Sequence, residues 1–155
     1  MGRILAIDYG ERRVGLALSD ERSVVASDTV ETIDRRSLAR GRTLEGEIAQ
    51  VVSDYGVKEV VLGLPLNMDG TQGDSALKVL EFAEKLKAIL GLPVHTWDER
   101  LTSVAAGRTR NELNLPLRKR RDKGRVDSLA AIILLQNYLV YRNRSPLAGL
   151  EEEDL

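Results

Sequence analysis

Arg3-Ile4-Leu5-Ala6-Ile7-Asp8-Tyr9-Gly10 is the stretch whose reading decides the fold. A short apolar run stopped by Tyr-Gly reads as a buried strand. The carboxylate at its end stands where a sheet opens to solvent at its carboxyl edge, the usual ligand-binding edge of α/β sheets. Past a turn at Tyr9 to Arg13, Val14-Gly15-Leu16-Ala17-Leu18-Ser19 predicts a second strand in a β-hairpin with the first, and a third strand is expected over about Val25 to Thr32. Taken alone, Asp8 needs to do no more than hydrogen-bond its own turn, so its meaning depends on what the rest of the chain brings to it.

Downstream the pattern switches to alternating helices and strands. Leu44, Ile48, Val51 and Val52 recur at helical spacing before Gly56, and Glu59-Val60-Val61-Leu62-Gly63-Leu64 reads as a buried strand. A loop from Pro65 to Gly73, holding Asn67, Asp69 and Gly70, is expected to be functional or mobile and not core. Asp74 or Ser75 then caps a helix with apolar positions Leu77, Leu80, Ala83, Leu86 and Leu90, ending at Gly91. Val94 to Asp98 follows as a strand, Ser103 to Leu113 as a helix, and Val126 to Arg142 as a last helix, apolar at Leu129, Ala130, Ile133, Leu134 and Leu139. This order predicts an α/β fold with a mixed five-stranded sheet and helices on both faces. Residues 1–143 are expected to form one domain and 144–155 a flexible acidic C-terminal tail.

Composition removes several classes of function. With 155 residues, 43% hydrophobic and 30% charged, the chain can bury a core and lies far from the disordered class. It has no cysteine, which excludes a disulfide framework and thiolate metal sites, and its one histidine, His95, makes zinc a poor fit. The apolar stretch Leu129 to Leu135 is far short of the roughly 20 residues of a membrane-spanning helix, so no membrane partner is expected. The N-terminus lacks a signal-peptide pattern, and a cytoplasmic location is expected.

Arg118-Lys119-Arg120-Arg121-Asp122-Lys123-Gly124-Arg125 places six cations in eight residues, a density suited to phosphate and hence to nucleic acid. A solvated loop explains the run equally well on its own. Arg35, Arg36, Arg40 and Arg42 form a second, looser group of cations.

Three carboxylates can be placed near one another. Asp98 and Glu99 end the strand that starts at Val94, and alternation sends neighbouring side chains to opposite faces, so only one of them can readily join Asp8. Arg100 is available to pair with the other. Asp127 lies in the first turn of the last helix, with Ala130, Ala131 and Leu134 following on its face, which directs it inward. Converging carboxylates repel unless a divalent cation neutralises them. Oxygen-only ligation suits Mg²⁺ or Mn²⁺, and a pair of such ions can clamp the attacking and leaving oxygens of phosphodiester hydrolysis.

Four ordered motifs carry a resemblance. Asp8-Tyr9-Gly10 with Val14-Gly15-Leu16-Ala17, then Gly63-Leu64-Pro65-Leu66-Asn67-Met68-Asp69-Gly70, then Asp98-Glu99-Arg100-Leu101-Thr102, then Val126-Asp127-Ser128-Leu129-Ala130-Ala131 resemble the YqgF family over about residues 3 to 142. The resemblance implies an RNase H-like fold related to RuvC-type Holliday-junction resolvases, and a nuclease that matures the 5′ end of 16S ribosomal RNA during ribosome biogenesis. It implies Asp8, Glu99 and Asp127 as catalytic and metal-holding residues, favouring Glu99 over Asp98. It also points to the loop containing Gly63, Pro65, Asn67, Asp69 and Gly70 as part of the site. Arg118, Lys119, Arg120, Arg121, Lys123 and Arg125 are then placed to hold nucleic-acid phosphates. Precursor ribosomal RNA is the expected partner, with ribosomal particles and branched DNA also in view, and the chain is a monomer or a homodimer. The competing readings are a resolvase acting on branched DNA, a phosphotransferase on a related fold, and a nucleic-acid-binding or ribosome-assembly module with little catalysis. The second lacks a Gly-x-x-x-x-Gly-Lys-Ser/Thr loop.

Overall fold

A strand whose side chains are apolar on both faces must be covered on both, and Ile4 to Ile7 sets that requirement at the centre of the molecule. The computed structural model describes residues 2–100 and 123–144, with backbone alone at 27–29, 123–128 and 144. In it, β1 (Arg3–Tyr9), β2 (Arg13–Ser19), β3 (Ala26–Asp34), β4 (Val57–Leu64) and β5 (Val94–Asp98) form one sheet in the order β3-β2-β1-β4-β5. β1–β2 and β2–β3 are antiparallel, whereas β1–β4 and β4–β5 are parallel. Among the described residues the helices are α1 (Leu44–Tyr55), α2 (Asp74–Leu90) and α3 (Lys123–Arg144), with one 3-10 turn at Arg35–Ser37.

Alternation along the strands divides the core in two. Leu5, Ile7, Leu16, Leu18 and Leu62 point to the face covered by α1 and α2, where they meet Ile48, Val79, Phe82 and Leu86. Ile4, Ala6, Ala17 and Val61 point to the other face and meet Ala131, Leu134, Leu135 and Leu139 of α3. Each large side chain fully buried here contributes roughly 1.5–3 kcal/mol, and small Ala6 and Ala17 leave room for α3 to lie close across β1, β2 and β3. The mixed sheet with helices on both faces is the expected one.

Thr43 caps α1, its hydroxyl accepting from the Gly46 amide at 3.0 Å, and left-handed Gly56 (φ 65°) ends it. For α2 the expected cap fails, and the expected apolar face holds except at Leu77. Its cap is Gly73, which offers no side-chain acceptor, so Asp74 lies inside the first turn as a charge near the positive helix end instead of capping it. Its buried face is Ala76, Val79, Phe82, Ala83 and Leu86, and Leu77 is 51% exposed. Of the expected apolar positions, Ala83 and Leu86 are buried and Leu80 and Leu90 pack half-buried against the same core, so Leu77 alone falls outside the covered face.

α3 begins three residues before and ends two residues after the expected span. The predicted helix at 103–113, the cations Arg118, Lys119, Arg120 and Arg121, and the tail beyond 144 lie outside the described residues. Among those described, no helix is long and apolar enough to cross a membrane.

Candidate active site

The carboxyl ends of β1, β4 and β5 converge at one edge of the sheet. Ile7 stands opposite Leu62, and Gly63 opposite Trp97. Ile4, Ala6 and therefore Asp8 face α3, as do Val61 and therefore Gly63. Glu99 follows directly on β5, and its amide donates to the Leu64 carbonyl at 3.0 Å. Register alone thus places Asp8, Gly63 and Glu99 on one face at one edge.

Gly63 is what lets Glu99 occupy this position. A Cβ built on Gly63 would overlap the Glu99 carboxylate, so the side chain lies directly over the glycine. Glu99 is half-buried there, and its pKa is raised from 4.5 to about 7, first by burial, then by the negative charge of Asp8 and that of Asp98. Burial and two neighbouring carboxylates therefore all act on Glu99 in the same direction, favouring its protonated form.

Asp98 is used differently. Its two oxygens accept from the Arg100 guanidinium, from Nη2 at 2.7 Å and from Nε at 3.0 and 3.1 Å, and Arg100 holds its carboxyl below the usual carboxylate range. Arg100 Nη1 also donates to the Met68 carbonyl at 3.3 Å, tying the 65–73 loop to the end of β5. That tie was not anticipated. The sequence offered Arg100 only as a partner for a neighbouring carboxylate.

Within the loop, Asn67 and Asp69 build a turn. The Asn67 amide donates to the Thr71 carbonyl at 2.9 Å, and the Thr71 hydroxyl donates to Asp69 Oδ1 at 2.6 Å. This hydrogen bond is the main cause that lowers the Asp69 pKa. Gly70 (φ 88°) sits against the Arg100 guanidinium, and Pro65 is half-buried. Of the loop residues singled out in the sequence, Gly63 touches a candidate acid; Asn67, Asp69 and Gly70 shape the loop.

Arg35 is a further cation at this edge. It lies over the Tyr9 ring at 5.1 Å and donates to the Gly10 carbonyl at 3.0 Å. Tyr9 in turn stacks on Phe82, with ring centroids 4.4 Å apart. Asp127, Lys123 and Arg125 lie on the first turns of α3, Asp127 four residues before buried Ala131; their side chains lie outside the described residues. Among the described residues no three of His, Cys, Asp and Glu gather closely enough to hold a metal ion.

Residues 2–141 match the family model RuvX, described as Holliday junction resolvase. The chain belongs to the RuvX family. RuvX, the YqgF family of the motif resemblance, places it among nucleases. One RuvX relative, named "Putative pre-16S rRNA nuclease" from Syntrophus aciditrophicus (strain SB), is 46% identical over 137 residues, covering 88% of this chain and 87% of the relative. A relative of the same name from Koribacter versatilis (strain Ellin345) is 40% identical over 153 residues, 99% of this chain and 92% of its own. Among solved structures, T. thermophilus RuvC in complex with Holliday junction substrate superimposes with a TM-score of 0.55 at 16% identity, covering 94% of this chain and 98% of that one. At that identity the likeness shows the fold, which is RNase H-like.

Proposed function

We propose that this RuvX-family chain is a metal-dependent endonuclease whose substrate is precursor 16S ribosomal RNA, cleaved near its 5′ end in the cytoplasm during ribosome biogenesis. The single observation carrying the reading is the Glu99 carboxyl, seated over Gly63 and held at about 7 by burial and by Asp8. The donors there are oxygen only, which suits Mg²⁺ or Mn²⁺. Asp8 and Glu99 would hold the ions from the sheet and Asp127 from α3. Bound ions, two in this reading, would neutralise the carboxylates and the charge that develops on the phosphodiester.

The chain's own residues have separate tasks. Asp8 and Glu99 supply carboxyl oxygens at the sheet edge, and Asp98 and Arg100 hold the strand end and the 65–73 loop in register with it. Arg35 on one side, and Arg118, Lys119, Arg120, Arg121, Lys123 and Arg125 ahead of and within the start of α3, would orient phosphates without reading bases.

The relatives' names favour RNA, and the family description favours a four-way DNA junction as the second reading. One assay separates them: cleavage of a 16S precursor transcript and of a four-way junction, each with Mg²⁺, with Mn²⁺ and with chelator. Metal-dependent cleavage of the transcript at a defined position is expected. Cleavage of the junction alone would move the substrate to DNA, and no cleavage of either would leave a binding module.

A further inference from the structure

The edge of the sheet opposite Asp8 carries an open groove of ≈ 730 Å³, lined by Arg22, Lys58, His95 and Arg142 among others. A smaller groove of ≈ 340 Å³ continues it, sharing Gly2, Arg22 and Lys58. β1 connects the two edges. From groove-lining Ile4 to Asp8 is about 13 Å at ~3.3 Å per residue, so this is a separate surface from the candidate active site.

The groove is built, not merely charged. Glu59, at its base with a side chain 13% exposed, has Oε1 3.2 Å from the donating Tyr138 hydroxyl and 3.0 Å from His95 Nε2, and Oε2 3.5 Å from Arg142 Nη2. That second oxygen is buried and makes no hydrogen bond. One buried carboxylate thus fixes a histidine and an arginine at the rim. Arg22 is held from the other side by a braced turn, where buried Ser23 (φ 58°) donates its hydroxyl to the Gly2 carbonyl at 2.7 Å, while Asn143 donates to the Ser23 carbonyl at 3.1 Å. Arg22 and Lys58 are exposed, and among the described residues their side chains make no hydrogen bond or ion pair. Cations presented by rigid elements, with no internal partner, suit an anion that arrives from outside.

We propose that this groove is a second nucleic-acid contact, holding the phosphate backbone of a polynucleotide at a distance from the scissile bond. The proposal rests on the nuclease reading for the source of the phosphates, RNA or branched DNA. A polyanion gains from Arg22, Lys58 and Arg142 without base recognition, through counterion release. A substrate engaging both edges must be longer than the path along β1, about four base pairs at 3.4 Å each.

The test is equilibrium binding of the full chain, in an Asp8→Asn background so that no cleavage intrudes, to a 16S precursor transcript and to a four-way DNA junction over a salt series. The variants are Arg22→Gln with Lys58→Gln, and Arg22→Glu with Lys58→Glu. The glutamine pair should flatten the logarithmic salt dependence by about 1.4 on single-stranded segments or about 1.8 on duplex, two contacts' worth. Affinity should fall by about tenfold at low salt, and the glutamate pair should lose more. The nucleic acid that shows the loss names the source. As a second readout, a photo-crosslinking side chain at Lys58 in the otherwise intact chain should label that same nucleic acid. Unchanged affinity and slope for both nucleic acids, with no crosslink, would overturn the proposal. So would a loss of affinity at unchanged slope, which would indicate altered folding. Because binding is measured without cleavage, an inactive wild-type chain would sink the nuclease reading and leave this measurement standing.

Discussion

Glu99 is the residue where burial and charge act together, and its titration can be followed. Its folded pKa of about 7 lies above its ordinary 4.5. The folded chain therefore holds the proton more tightly than the unfolded one, and the stabilisation is fully present below about 4.5 and is lost as pH rises through about 7. Metal-free protein should lose melting temperature over that window, and Glu99→Gln should remove that part of the slope. Asp8→Asn should lower the Glu99 pKa, visible by carboxyl NMR, because it deletes the second of the three causes while burial remains. The same variant should cut cleavage by more than about 100-fold, beyond the 10–100-fold typical of outer-sphere partners of a metal, with nucleic-acid binding kept. Glu99→Gln should be far more damaging than Asp98→Asn, since Asp98 is committed to Arg100. If metal-dependent cleavage rates came out in the reverse order, Glu99 would not be the acid of the site. The choice between these two neighbours was half legible in the sequence: alternation showed that one must face away, and only the register of Gly63 against Trp97 shows which side the active edge takes.

At the scale of elements, β4 offers a sharp test. Gly63→Ala places a methyl group where the Glu99 carboxylate lies, so the acid must move while the strand stays. Cleavage should fall at least about tenfold, a misplacement effect, with a smaller change in melting temperature; full activity would show that Glu99 does not act from this position. In α2, Leu86→Ala should cost about 2–5 kcal/mol in denaturant unfolding, whereas Leu77→Ser should stay within about 0.5 kcal/mol. Equal losses would put Leu77 back on the buried face. The strands were readable because Ile4 to Ile7 and Val60 to Leu64 admit little else. The face of α2 was readable from Leu80 to Leu90 but not at Leu77, an apolar side chain that only the sheet's position assigns to solvent. The Gly73 cap was hidden for a related reason, since a glycine cap carries no side-chain signal.

For the whole molecule, the proposed function predicts phosphate contacts beyond the carboxylate site. Neutralising Arg118, Lys119, Arg120 and Arg121 together should weaken binding across sequences and flatten the salt dependence by about 0.7 per lost contact on a single strand or about 0.9 on a duplex. Thermal stability should hold within about 0.5 kcal/mol, and unchanged affinity with unchanged slope would reduce the cluster to a solvated loop. The groove around Glu59 had no such local signature, because its residues come from the β2–β3 turn, β4, β5 and α3 and meet only in the fold. The central place of β1 has one more consequence, for biosynthesis. Its antiparallel partner β2, and β3 beyond it, lie within the first 34 residues, but its parallel partner begins at Val57. As the chain leaves the ribosome, β1 to β3 can close into a meander while the far side of β1 still shows unpaired amides and carbonyls. A nascent chain that has emerged only to somewhere between Arg35 and Gly56 would present that open edge to other nascent chains, and a chaperone guarding this protein would have most to do in that interval.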